Sequence, residues 1–511
     1  MSQENNKRIA KNTILLYFRM FLTIGLQLYM VPVVLRLLGV DDYGLYSVIG
    51  GITALFAFVG SSMASGAQRF FAYSIAQKNH EQLIRLFNTT LTIYVLLAIF
   101  TFAIFEIGGI WFIENRMQIP IERLSAAHWV FQFSVVTFLV ALIAIPYNAV
   151  VIAHEQMCIY AYVSIASSLL KLLSVLVLQF LATDYLIGYA GLMMFVQLVE
   201  RLVYQIYCKR HFEECRHWSW CFDKEVGIKL LIYSGFNMIG SFAMVLRRQG
   251  LNIVMNLFFG TLLNAAHAIA IQINSVLEQF ISNLYMASRP QITKYYATNE
   301  IELMWQLVFR SSLLAYFLVM ILGVIAVIEM PTVLSLWLHE VPLYSINITR
   351  LFILCLLIET TTNQLIAVFQ AQNKIKYYQI FSSTILLLNV PIAYLILRSS
   401  SADALIPYYI QVAFSCLYSF SLVIVSVKVS RLEIKEFIVN TLLKEIIITI
   451  IVFTTTYFAV KQLNESLFRV CFTTIITSII SFISIWFIAL NKVEKEMIKN
   501  IINNGIRRIK I

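Results

Sequence analysis

Charge is scarce in this sequence. Only 13% of its 511 residues are Asp, Glu, Lys or Arg, against roughly 25% in an ordinary soluble domain. Hydrophobic residues make up 60% and mean hydropathy is +0.79, so a water-soluble enzyme is excluded. Proline (8) and glycine (18) are few, which excludes a collagen-like or low-complexity chain. Cysteine numbers seven, but no pair has the C-x₂₋₄-C spacing of a structural zinc site. Cys208, Cys215 and Cys221, near His211 and His217, are therefore a poor zinc set. No H-E-x-x-H, P-loop or G-x-S-x-G run is present, so hydrolase and ATPase chemistry lack their machinery.

Long apolar runs are what the sequence does have. They are continuous, unlike the ~10-residue alternating strands of an outer-membrane barrel, and point to an all-α polytopic membrane protein. Taking ~20 apolar residues per crossing, the runs are 12–38, 43–66, 83–106, 126–153, 157–182, 185–208, 227–259, 261–288, 306–329, 346–372, 376–397, 404–427, 442–460 and 467–490. That is about fourteen helices, or twelve if the last pair does not cross. With the N-terminus inside, 27 of the 38 Lys and Arg fall on the cytoplasmic side, 7 outside and 4 within segments. This positive-inside bias places both termini in the cytoplasm and accounts for most of the net charge of +11, with no need for a nucleic-acid partner. The first run is too long for the apolar region of a signal peptide. Residues 491–511 mix isoleucines with basic residues, a pattern suited to the anionic surface of the inner leaflet as much as to a solvated tail.

The connections are short, so function is expected within the helices. A charge at the bilayer centre costs at least ~2.5–3.5 kcal/mol and normally faces a cavity or a partner. Arg247 and Arg248 lie deep in 227–259, with Asn252 and Asn256 following Arg248 at four-residue steps as one polar stripe. Arg19 and Lys171 are two further basic residues inside segments. Glu278 and Glu359 are the acids, able to serve as counter-ions or to bind a coupling ion, H⁺ or Na⁺; no other cofactor is expected. The basic residues make the intramembrane inventory net positive, which favours an anionic substrate such as a phosphate ester. Asp41 and Asp42, in a very short outside loop, read as a helix-capping turn. A polymerase or ligase would need a larger outside loop than any present here.

An offset of 221 residues relates two stretches without gaps: Leu37-Leu38-Gly39 aligns with Phe258-Phe259-Gly260, Ser61-Ser62 with Ser282-Asn283, and Ala76 with Ala297. A duplicated helical unit is a common transporter plan. The run Gly250–Phe280 followed by Ala287–Ala297 (ASRPQITKYYA) resembles the Wzx-type oligosaccharide flippase family of bacterial polysaccharide biosynthesis. Leu35–Gly51 and Ser65–Ala76 are similar to the same family's opening, and the resemblance extends over about residues 8–430. The family lies in the multidrug/oligosaccharidyl-lipid/polysaccharide (MOP) exporter superfamily.

The resemblance implies a MATE-like, V-shaped pair of six-helix bundles, with 1–215 and 216–430 as the bundles and 431–511 as two added helices plus the basic tail. It implies a non-enzymatic, multi-pass protein of the bacterial inner membrane. Such a protein flips undecaprenyl-pyrophosphate-linked oligosaccharide by alternating access for O-antigen, capsule or lipopolysaccharide synthesis. Its implied partners are that lipid-linked substrate, membrane lipids and the polysaccharide polymerase machinery. The alternative within the superfamily is a cation-coupled multidrug exporter. Such exporters often carry an acid in the first helix, where this sequence has Arg19 and no Asp or Glu.

Overall fold

The computed structural model describes residues 3–76, 80–154, 156–180, 184–216, 218–372, 374–399, 403–490 and 495–496. Among these the chain is helical almost throughout and contains no β-strand, as expected where lipid forces every backbone group to bond within its own segment. The helices are α1 (Gln3–Ala54), α2 (Ala57–Ala76), α3 (His80–Ile104), α4 (Ile110–Asn115), α5 (Leu124–Ala153), α6 (Met157–Leu178), α7 (Tyr185–His211), α8 (Lys224–Val245) and α9 (Leu251–Phe259). They continue as α10 (Thr261–Ala297), α11 (Ile301–Trp337), α12 (Ser345–Asn363), α13 (Leu365–Ala371), α14 (Ile375–Ser399), α15 (Ile406–Ser430), α16 (Ile434–Phe437), α17 (Leu443–Val460) and α18 (Leu467–Ser484).

Eleven helical rods among the described residues are long and apolar enough to cross a membrane. Helices α2, α8–α9 and α10 are not among the eleven. The last two carry polar residues: Arg247 and Arg248 in the first, and Asn264, His267, Asn274 and Glu278 in the second. The amphipathic tail lies outside the described residues except for Lys495 and Glu496.

The chain forms two compact units. The first comprises Met1–Gln272, Leu338–Ser345 and Ser383–Ile410; the second comprises Ile273–Trp337, Ile346–Ser382 and Gln411–Ile511. In the first unit α5 packs on α7 and α3, and α1 on α6. Lipid is as apolar as leucine, so these contacts rest on close packing and interhelical hydrogen bonds rather than on escape from water. Phe87 meets Tyr147 edge-on at 5.4 Å, and Phe105 meets Phe131 and Phe138 in the same way at 6.3 and 5.5 Å. In the second unit Tyr316, Phe317 and Met320 of α11 pack with Ile448 and Val452 of α17. Buried Glu329 of α11 pairs with Arg469 (3.0 Å) and accepts from Thr473 (2.7 Å), both on α18.

Two glycines break rods in the first unit. Gly39 (φ 77°, ψ 172°) interrupts α1, and Gly260 (φ 75°, ψ −165°) separates α9 from α10. Both conformations belong to a region essentially reserved for glycine. The two residues aligned by the 221-residue offset thus make the same break. Just past the first break, Gly44 faces the backbone of Thr261 so closely that a Cβ would lie 2.1 Å from its carbonyl oxygen. Asp41 accepts from Thr261 Oγ1 at 2.9 Å, while Asp42 pairs with Arg123. Arg123 also pairs with Asp184, which caps α7 by accepting from the Leu186 N–H at 3.0 Å. The acidic pair therefore sits in the first turn after the break and also ties it to neighbouring segments.

Candidate functional site

The rod formed by α8 and α9 does not run as a uniform α-helix. At Leu246–Gly250 (LRRQG) it makes one π-helical turn, which carries Arg247 and Arg248. Wide turns of this kind disrupt the regular i→i−4 ladder and are frequent at functional sites. The Arg248 carbonyl is met by His267 Nε2 at 3.3 Å. A carbonyl can only accept, so Nε2 carries the hydrogen. The other ring nitrogen, Nδ1, lies 3.0 Å from the Tyr408 hydroxyl. His267 is fully buried and belongs to the same unit. Both arginine side chains are half-buried.

One and two turns beyond Arg248 lies a chain of hydrogen-bonded amides. Asn264 Nδ2 donates to Asn252 Oδ1 (2.7 Å) and to the Asn252 carbonyl (2.6 Å). Asn256 Nδ2 donates to Asn264 Oδ1 at 3.1 Å, and Asn256 Oδ1 accepts from the Gln118 N–H at 3.2 Å. Asn252 Nδ2 in turn donates to the Ser47 carbonyl at 3.2 Å. All three asparagines are buried, and each uses both ends of its amide. The chain clamps α9 to α10 across Gly260 and fastens them to α1 and to the segment before α5. Of the polar stripe read from the sequence, Asn252 and Asn256 are bonded to protein groups. Asn264, His267 and Tyr408 were not singled out in the sequence. The signal for the first two was their polarity inside an apolar run.

The remaining candidates lie on other segments of the chain. Arg19 on α1 lies over the Tyr160 ring of α6, 4.8 Å from its centroid, a cation–π contact. Its Nε is buried without a hydrogen bond. Lys171 is half-buried on α6. All four basic candidates belong to the first unit, whereas both acids belong to the second. There Glu359 accepts from Ser415 at 2.7 Å and Glu278 from Asn274 Nδ2 at 2.8 Å. Two cavities of ≈ 350 and ≈ 210 Å³ in the first unit are lined by other residues. Asp41, Gln118, Gly260 and Thr261 contribute to one, and His80, His154 and Glu214 to the other.

Among the described residues no cluster of His, Cys, Asp and Glu could hold a metal ion, and His217 lies outside them. Cys208 and Cys215 are buried, and Cys208 Sγ faces the Tyr147 carbonyl at 3.5 Å. Hydrogen bonding with Cys208, followed by burial, pushes the Cys215 thiol far above its ordinary range. That is the opposite of a thiolate ligand.

No family model matches the sequence, and no curated protein matches it. Solved structures do. A multidrug resistance MATE family transporter of the MOP superfamily, in an inward-facing conformation, superposes with a TM-score of 0.65 at 15% identity, covering 80% of this chain and 95% of its own. A MOP superfamily transporter from Pyrococcus furiosus, described with a binding pocket of reversed polarity, gives 0.60 at 15% identity over 82% and 96%. The lipid II flippase MurJ, in an inward closed conformation, gives 0.62 at 12% identity over 93% and 98%. This chain is thus an all-α, multi-pass membrane protein with the MATE-like fold common to those transporters and to MurJ.

Proposed function

We propose that the protein is a flippase that moves undecaprenyl-pyrophosphate-linked oligosaccharide repeat units across the bacterial inner membrane for surface polysaccharide synthesis. The observation that carries this reading is the pair Arg247–Arg248 on a π-helical turn inside an apolar rod. An arginine is expensive at that depth unless it meets a negative group, and its planar fork suits the oxygens of a pyrophosphate. In this mechanism the two arginines bind the pyrophosphate, with Arg19 and Lys171 of the same unit supporting them. Asn252 and Asn256 hold the π-turned rod in register. The polyprenyl tail stays in lipid, and rocking between inward- and outward-facing states carries the head group across.

Glu359 and Glu278 of the second unit are the proposed coupling residues, binding H⁺ or Na⁺. MurJ also supports the reading, because it matches 93% of this chain where the MATE structures above match 80–82%. A polysaccharide polymerase acting on the delivered units is the expected partner.

The test is the pool of lipid-linked glycans in a strain lacking the gene. Accumulation of lipid-linked repeat units with loss of surface polymer supports flipping and gives the substrate's mass. The second reading, cation-coupled multidrug export, is favoured by the MATE neighbours. It predicts altered drug susceptibility with an unchanged glycan pool and intact polymer.

A further inference from the structure

The second unit buries two glutamates that differ in one respect. Glu329 has a cation, Arg469, and a hydroxyl donor, Thr473. Glu445 of α17 is 1% exposed and has a single donor, Thr361 Oγ1 of α12, at 2.7 Å. Its other oxygen, Oε1, has no partner, and no basic side chain pairs with it among the described residues. The adjacent Lys444 is engaged elsewhere, donating to the Ala489 carbonyl at 3.1 Å.

Two further oxygens on the same elements are buried and unpartnered. Thr441 Oγ1 lies one turn before Glu445, where Ile438–Leu442 forms a π-helical turn. Gln364 Oε1 lies one turn beyond Thr361, its Nε2 donating to Ser288 at 2.6 Å. The titratable groups that sense Glu445 are Tyr285 of α10, which donates to the Thr360 carbonyl at 2.8 Å, and Tyr316 of α11, bonded to Thr449 at 2.9 Å. Arg289 of α10 acts on Tyr285 and is itself exposed.

A buried carboxylate without a positive partner is costly, and hard monovalent cations are bound by oxygens. We propose that Glu445, with Thr361 and the unpartnered oxygens of Thr441 and Gln364, forms a monovalent cation site, taking a proton or sodium, that fastens α17 to α12. The site is separate from Glu359 and Glu278 and does not depend on the chain being a flippase.

The test is thermal unfolding of the purified full-length protein, with sodium chloride varied from about 1 to 100 mM against choline chloride, at pH 6 and at pH 8.5. Sodium at the site raises the midpoint with concentration, by at least about 2 °C over that range. A proton at the site makes the midpoint fall as pH rises, with no response to sodium, because the buried acid must then lose its proton. In either case Glu445→Gln, a neutral isostere, abolishes the response. Thr441→Val and Gln364→Leu reduce a sodium response. Should Glu445→Gln fail to fold, Thr361→Val together with Thr441→Val makes the same comparison. A wild-type protein indifferent to both ions, or a Glu445→Gln protein that keeps the full response, overturns the site.

Discussion

The stretches 31–46 and 252–267, related by the 221-residue offset, share a backbone and differ in chemistry. Each is broken by a glycine in the same positive-φ conformation, Gly39 in one and Gly260 in the other. Where the later stretch has Asn252, Asn256, Asn264 and His267, the earlier has Val31, Leu35, Tyr43 and Tyr46. In the earlier stretch Val31 and Leu35 are buried hydrophobic residues, and Tyr46 packs edge-on against Tyr189 at 4.7 Å. In the later one the same positions supply a chain of bonded amides and a histidine beside the π turn. The shared break is thus a property of the repeat, while the polar network belongs to the one copy that carries Arg247 and Arg248. An apolar rod interrupted by two arginines needs a support that an ordinary apolar helix does not.

Six variants break or sharpen that comparison. The largest effect is expected for Arg247→Ala combined with Arg248→Ala, which should abolish surface polysaccharide while membrane protein level stays unchanged by immunoblot. Next come the two breaks. Gly39→Val and Gly260→Val should each destabilise the protein by at least about 1–3 kcal/mol, with matched drops in thermal midpoint; a large drop in only one would deny their equivalence. Asn264→Leu leaves Asn252 Oδ1 and Asn256 Nδ2 without partners. At about 0.6 kcal/mol per interhelical bond, with a further penalty for the orphaned groups, it should cost about 2–3 kcal/mol. Tyr43→Phe, the corresponding position in the apolar copy, should change the midpoint little. Within the polar network the smallest effect is expected for His267→Phe, which removes the bond to the Arg248 carbonyl. It should lower the midpoint by the equivalent of about 1 kcal/mol and reduce transport more than stability.

Much of this was legible in the sequence because lipid imposes strict rules. Twenty-residue apolar runs and the absence of strand alternation announced an all-α membrane protein, and the alignment of Gly39 with Gly260 marked two places where one helix gives way to another. Arg247 and Arg248 stood out because charge is rare in such runs. What remained hidden depends on pairing across the chain. Nothing local in sequence reveals that Asn264 links Asn252 to Asn256, or that His267 reaches the Arg248 carbonyl and Tyr408. The π turn was equally hidden, since Leu-Arg-Arg-Gln-Gly fits an α-helical pattern. Glu445 escaped notice at the edge of a predicted segment, beside Lys444, where a solvated ion pair would be the ordinary expectation. Only packing against α12 reveals its burial.

The most direct test of flipping through the two arginines is to locate the lipid-linked repeat unit by leaflet. Cells whose only copy carries Arg247→Ala and Arg248→Ala would be compared with wild type, using a glycan probe that reaches only the outer face. The account predicts that repeat units accumulate where the probe cannot reach them and that outer-face labelling falls to the level of the deletion strain. Wild-type labelling in the double variant, with normal polymer, would contradict it.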